Sequence, residues 1–246
     1  MQNPTYQFQT SFQLTSKLAT IDAAQADIQR LRAQQPDRWQ PIQQKLRAEW
    51  TYDSNAIEGS TLTLGETIFF LQEGLTVEGK PFKDFLDARN HAEAIDLLFD
   101  VVAQKRAISE GLIKELNALL LAGVLQQDGS IHHYIEPLQV PLEMQQLCDW
   151  VNANLNQLHA VTVAGIAHYN MVRIHPLDDG NGRGARILMN LILLIQGYTP
   201  VIVRTTKRRI YLQALAAADR DDIEPFLDFI ADSMLDTQRV ILEELR

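Results

Sequence analysis

His175-Pro176-Leu177-Asp178-Asp179-Gly180-Asn181-Gly182-Arg183-Gly184-Ala185-Arg186 runs directly into Ile187-Leu188-Met189-Asn190-Leu191-Ile192-Leu193-Leu194-Ile195, and this junction decides the fold. Three glycines in five residues let the backbone turn tightly and offer several N–H groups to one anion. The apolar run that follows reads as a buried helix stopped by Gly197. No β-branched strand precedes the loop and its glycines run G-x-G-x-G, which excludes the dinucleotide-binding fingerprint; the order is not that of a Walker A loop either. A loop of this kind between helices is often only a tight connection, so its polar residues have to carry any functional reading.

Outward from the loop, the chain reads as helices. Leu14, Leu18, Ile21, Ala24, Ile28 and Leu31 form a stripe at helical spacing. Pro36 and Pro41 predict a connection before a second helix through Ile42, Leu46 and Trp50. Thr63-Leu64-Gly65-Glu66 reads as a capping box opening a helix. Helical spacing returns over 83–102, 109–121, 141–158, 162–174, 207–218 and 223–246. The pattern lapses over 127–141, where Asp128-Gly129 predicts a short hairpin or an exposed loop. The expectation is one all-α chain: an N-terminal helical arm over residues 1–50, structural or dimer-forming, then a helical domain over 51–246.

Composition narrows the function. Twelve glycines, nine prolines and 7% aromatics are too few for a strand-rich sandwich or barrel. A net charge of −9 argues against a nucleic-acid footprint. One Cys148 excludes a disulfide framework and a multi-cysteine zinc site, and reads as a small core residue. The N-terminus has no apolar h-region and no stretch is long enough to span a bilayer, so a cytoplasmic protein is expected. The basic run Arg204, Lys207, Arg208 and Arg209 reads as a solvated face, or as an attraction for a nucleotide triphosphate or an acidic target.

The loop itself holds the parts of a phosphoryl-type transfer. The N-terminus of the helix after it is a favourable phosphate site. Arg183 and Arg186 lie three residues apart on one helical face. Asp179 offers a hard oxygen suited to Mg²⁺, and His175 supplies a base whose ordinary pKa lies near 6.5. These groups together match the needs of charge stabilisation and proton removal.

This segment resembles the signature of the Fic family, His-Pro-Phe-x-[Asp/Glu]-Gly-Asn-Gly-Arg-x-x-Arg, with Leu177 in place of Phe. The resemblance covers roughly residues 50–231. It implies a Fic-type helical bundle with a β-hairpin flap over 128–141 that docks a target protein, and transfer of AMP from Mg·ATP to a Tyr, Ser or Thr hydroxyl. It makes His175 the base, Asp179 the Mg²⁺ ligand, and Gly180, Asn181 and Gly182 the phosphate cradle. Arg183 contacts the β-phosphate and Arg186 the γ-phosphate. Tyr211 and Leu215 fall on the helix that lines the adenine pocket, where Leu212 and Asp219 depart from the usual Tyr and Asn and leave another nucleotide open.

Upstream, Ser54-Asn55-Ala56-Ile57-Glu58-Gly59 places Glu58 at the C-terminal end of a helix, where the helix dipole disfavours a carboxylate. Such an acid is either solvated or paired with a cation. The segment resembles the Fic inhibitory motif, [Ser/Thr]-x-x-x-Glu-[Gly/Asn]. The resemblance implies that Glu58 pairs with Arg186 and occupies the γ-phosphate space, with the inhibitory helix near 51–59. Two other readings stay open: a Glu58-dependent enzyme that removes AMP, and a helical regulator that binds nucleotide without turnover. A homodimer is an expectation of the apolar N-terminal helices.

Overall fold

The computed structural model describes residues 6–124 and 135–246. The helices are α1 (Phe12–Gln34), α2 (Pro36–Ile57), α3 (Leu64–Glu73), α4 (Phe82–Ala103) and α5 (Glu110–Leu120), then α6 (Val140–Asn154), α7 (Ala160–Ile174), α8 (Asn181–Ile195), α9 (Arg208–Ala218) and α10 (Glu224–Leu245). No strand occurs among the described residues. The all-α class read from the sequence is what the chain adopts.

The centre is the α7–α8 pair, joined by the glycine loop and packed along each other. Helix α8 is buried on nearly every side from Arg183 to Leu193, as a helix apolar all round must be. The one polar interruption of its Ile187–Ile195 run is satisfied rather than wasted. Asn190 Nδ2 donates to the Val201 carbonyl (2.9 Å) and Asn190 Oδ1 accepts from Val201 N (2.6 Å), which fastens the extended segment after Gly197 to the core.

Helix α1 buries Leu14, Leu18, Ile21 and Ile28, the predicted stripe, and lies along α10. Helix α2 corrects the reading of Pro41. Pro36 does start the helix, but Pro41 sits inside it and α2 continues unbroken to Ile57. The amide that Pro41 lacks would have met only the carbonyl of Asp37, in the first turn, so a single bond near the end is lost. Burial of Ile42, Leu46 and Trp50 outweighs it. No break therefore marks residue 50, and one hydrophobic cluster takes in residues of α1 together with those of α7, α8 and α10. Smaller, Leu62, Phe85 and Ala88 form a second cluster under α3.

The predicted capping box is present at α3: Glu66 N donates to Thr63 Oγ1 (3.2 Å) and Thr63 N to Glu66 Oε2 (2.7 Å). The expected flap fares differently. Residues 125–134 lie outside the described residues, and the described remainder of 128–141 makes a turn that opens α6 rather than a strand. Pro141 in the first turn, with its φ preset for helix, accounts for that end. Cys148 is a buried residue of α6, and burial pushes its thiol up to about 11. Part of the basic run is paired. Arg204 pairs with Glu49 (2.6 Å) and Asp53 (3.1 Å), Lys207 with Asp236 (2.5 Å), and Arg208 Nε donates to the Ile57 carbonyl (2.9 Å), while Arg209 is exposed. These contacts tie the start of α9 to α2 and α10. No helix among the described residues is long and apolar enough to cross a membrane.

Candidate active site

Two backbone reversals shape the loop between α7 and α8. His175 ends α7 in the left-handed region (φ 51°), and Gly180 starts α8 from the same region (φ 78°). A left-handed histidine is uncommon outside sites where surrounding structure fixes it. Asn181 closes the loop on itself. Its Oδ1 accepts from Leu177 N (3.1 Å) and its Nδ2 donates to the Leu177 carbonyl (2.6 Å). Helix α8 thus begins at Asn181, whose side chain braces the loop and which also lines the cavity described next. The part it leaves to an anion is the row of backbone amides at the helix start.

The loop, the end of α2 and the start of α4 surround an open cavity of roughly 380 Å³. His175, Asp179, Gly180, Gly182 and Arg183 reach it from the loop, Glu58 and Gly59 from α2, and Lys83 and Asp87 from α4. Loop and α2 residues more than a hundred positions apart thereby meet on one wall.

The two arginines part company. Arg186, only 2% exposed, turns toward α2. Its Nε donates to Ser54 Oγ (3.0 Å), and its Nη2 to the Ser54 carbonyl (2.9 Å) and to Glu58 Oε1 (2.8 Å). Behind it lies Tyr211, buried among Phe226 and Phe229, with its hydroxyl beside the guanidinium and 3.0 Å from His168 Nε2. Burial, and then Arg186, depress His168 to about 3, so it stays neutral. Tyr211 and Leu215 are both buried and neither lines the cavity; Tyr211 backs the arginine.

Arg183 turns toward α4. Its Nη1 donates to Asp87 Oδ1 at 2.6 Å, both side chains being buried, while its Nε is shut off from water with no partner among the described residues. A buried guanidinium N–H left open costs about 1–3 kcal/mol, and a phosphate oxygen in the cavity would answer it. Asp87 also accepts Lys83 Nζ (2.7 Å), and its carbonyl accepts Asn55 Nδ2 (3.3 Å).

Glu58 is the residue that joins the two motifs. It caps the C-terminal end of α2, and the partner its position demanded is present. Burial pushes its carboxyl upward, but Arg186, with Arg183 and Arg208, outweighs that and holds it below the ordinary carboxylate range. A Cβ placed on Gly182 would collide with Glu58 Oε1, so the carboxylate lies directly on the first turn of α8. That turn is where a nucleotide's phosphates would rest.

Asp179 stands at the cavity rim, its side chain 46% exposed, with Oδ1 accepting from Gly180 N at 2.6 Å. No group of three metal-binding side chains occurs among the described residues. A lone carboxylate fits Mg²⁺, which commonly takes one or two carboxylates and completes its octahedron with water and phosphate oxygens.

Sequence reasoning missed Asp87 and Asn55. A signal for Asp87 existed. It shares the inward face of α4 with His91, Ala94 and Leu98, and an acid on a buried face needs a cation.

The fold has known relatives. Residues 91–193 match the Fic/DOC family. The chain is 36% identical over 196 residues to proteins named protein adenylyltransferase Fic from Drosophila grimshawi and Drosophila willistoni, over 74% of this chain. It spans only 40% and 39% of those relatives' own lengths. Among solved structures, a Fic domain containing signaling protein from Bacteroides thetaiotaomicron aligns at a TM-score of 0.83 and 26% identity, covering 93% of this chain and 96% of that one. A fragment of Fic-1 from C. elegans aligns at 0.84 and 26%, covering 94% and 71%.

Proposed function

Because this chain belongs to the Fic/DOC family, we propose that it transfers AMP from ATP to a hydroxyl of a target protein and that Glu58 keeps the transfer nearly silent. The observation that carries the proposal is the Arg186–Glu58 contact at 2.8 Å, made by a Glu58 that lines the cavity together with His175 and the start of α8.

In the transfer, a target hydroxyl oxygen bonds to the α-phosphorus, the bond from that phosphorus to the bridging oxygen breaks, and pyrophosphate leaves. The hydroxyl proton passes to the imidazole of His175. The amide of Gly182, the amide of Gly180 once Asp179 releases it, and the guanidinium of Arg183 donate to phosphate oxygens, with Asp87 fixing Arg183 in place. Arg186 is the partner for the γ-phosphate once Glu58 lets go. Asp179 is the carboxylate that would hold Mg²⁺, which supplies charge neutralisation for the phosphates. The target protein docks along 128–141.

With Glu58 in place, the γ-phosphate finds its arginine taken and a carboxylate in its space. Glu58→Gly removes both obstacles. Its expected result is at least a roughly tenfold rise in AMP incorporation from labelled ATP, equivalent to about 1.4 kcal/mol. His175→Ala in the Glu58→Gly background is expected to abolish incorporation. No rise in the first variant rejects the inhibitory role, and persistent transfer in the second rejects the base.

One observation favours a second reading. The Glu58 side chain, 42% exposed, shares the cavity with His175, a placement that suits activation of water to remove AMP from a modified protein. Under that reading Glu58→Gly loses activity on a pre-modified target, so the same variant separates the two directions.

A further inference from the structure

Lys83 is the second residue of α4, at the end of a helix where the dipole disfavours a cation. It stands on the wall of the cavity that His175 and Gly182 also line. The nearby Lys80 is engaged elsewhere, with Glu66 (3.2 Å) and the Thr61 carbonyl (2.5 Å), and does not line the cavity. The charge on the lining is lopsided. Glu58, Asp84, Asp87, Asp178 and Asp179 face only two cations, Lys83 and Arg183. A polyphosphate entering such a place needs every positive charge that can be turned toward it.

The two cations differ in freedom. The Arg183 side chain is 4% exposed, whereas that of Lys83 is 45% exposed on a flexible four-carbon stem. Both draw on one carboxylate. Asp87 Oδ1 accepts from Arg183 Nη1 (2.6 Å) and Asp87 Oδ2 from Lys83 Nζ (2.7 Å), so two positive charges lie side by side on a single negative one. Asp87 stays paired with Arg183 when Lys83 leaves, and a half-exposed ion pair contributes little to stability. Little therefore opposes a swing of the lysine toward an incoming anion. The other acids are mostly engaged already: Glu58 by Arg186, Asp84 by the N–H and hydroxyl of Thr61, and Asp179 by the Gly180 amide.

We propose that Lys83 is a phosphate-binding residue of this site, reaching the β-phosphate of ATP beside Arg183 and holding the pyrophosphate as it leaves. The proposal rests on the nucleotide-transfer reading above and adds a residue that selects donors by the phosphates beyond the first. Arg183 donates from a fixed place. Lys83, which shares Asp87 with it, moves a short distance to other oxygens of the same phosphate. Its charge matters most as the bond from the α-phosphorus to the bridging oxygen breaks and negative charge gathers on the pyrophosphate. AMP has no phosphate past the α and gains nothing from this lysine.

The test is calorimetric titration of the full chain with ATP, ADP, pyrophosphate and AMP, each with Mg²⁺ present. The chain carries Glu58→Gly and His175→Ala, so that the γ-phosphate space is clear and ATP is bound without being consumed. In that background Lys83→Ala is expected to weaken ATP, ADP and pyrophosphate about tenfold and to leave AMP within about twofold. Lys83→Arg, which keeps the charge, retains most of the ATP affinity, and Lys83→Glu loses more than Lys83→Ala. Unchanged ATP affinity in Lys83→Ala, or a loss as large for AMP, overturns the assignment and leaves the transfer reading standing. No ATP binding at all overturns both. Lys83-dependent ATP binding, in a chain whose Glu58→Gly variant incorporates no AMP, keeps the assignment and rejects the transfer alone.

Discussion

Replacing Glu58 by Gln separates charge from volume in the contact that the proposed inhibition depends on. The amide keeps the length and shape of the side chain, and Arg186 keeps its two bonds to Ser54 at 3.0 and 2.9 Å, so the guanidinium has no reason to move. What goes is the charge at the 2.8 Å contact. Breaking a fully buried ion pair from one side costs about 3–5 kcal/mol. Glu58 is 42% exposed, however, and an amide oxygen still accepts, which lowers the loss to about 1–2 kcal/mol. At 1.4 kcal/mol per factor of ten, the open population rises roughly 5–30-fold. The assay is the initial rate of AMP incorporation at saturating ATP, with wild type, Glu58→Gln and Glu58→Gly run side by side, and Glu58→Gln is expected between the other two. If it stays within roughly twofold of wild type while Glu58→Gly is active, the inhibition is bulk over Gly182 and the ion-pair account is wrong. The sign with pH follows from the depressed carboxyl. The pair is complete above the ordinary value of 4.5 and is lost only as pH falls through a lower one. The ratio of Glu58→Gly to wild type should therefore be flat from about pH 8 to about pH 5.

Asp87→Ala leaves Arg183 buried with only Asp179, 3.8 Å away, as counter-charge and should destabilise the fold by about 3–5 kcal/mol, read by denaturant unfolding; a loss below about 1 kcal/mol would mean that water or Asp179 takes over the contact. His168 is depressed to about 3, so the unfolded chain binds the extra proton and stability falls as pH drops below about 6.5. From neutrality to about pH 5.5 this residue's share is about 1–2 kcal/mol. His168→Gln should flatten the melting temperature against pH over that window, and an unchanged slope would remove the histidine from the account. Thr63→Ala deletes the cap acceptor of α3 and should cost about 1 kcal/mol in thermal unfolding, with no effect on AMP incorporation.

The sequence was most legible where chemistry is local. The capping box, the apolar helix after the glycines and the acid stranded at a helix C-terminus each announce themselves within a few residues, and each is found. The Glu58–Arg186 pairing spans 128 positions, and a motif resemblance, not physical reasoning on the residues, brought its two ends together. Contacts set by helix packing stayed hidden. The Arg183–Asp87 pair cannot be seen in sequence because Asp87 comes from another helix, and the meeting of the Tyr211 hydroxyl with His168 follows from how α9 packs. The partners of Arg204 and Lys207, which are Glu49, Asp53 and Asp236, are likewise distant in sequence. Pro41 departs for the opposite reason: burial along α2 overrides the local rule that a proline interrupts a helix.

Gly182 bears on how such a chain could change by inheritance. Every single-base substitution of a glycine codon that changes the amino acid introduces a Cβ, and a Cβ here collides with the Glu58 carboxylate. The same atom also comes within 3.4 Å of Arg186 Nη1. A lineage altered at this codon is thus pushed toward disturbing the restraint and the arginine it restrains together. Under the proposed function, the routes to an overactive descendant with its transfer chemistry intact run through α2, at Glu58 or Ser54, and seldom through the glycine that Glu58 opposes.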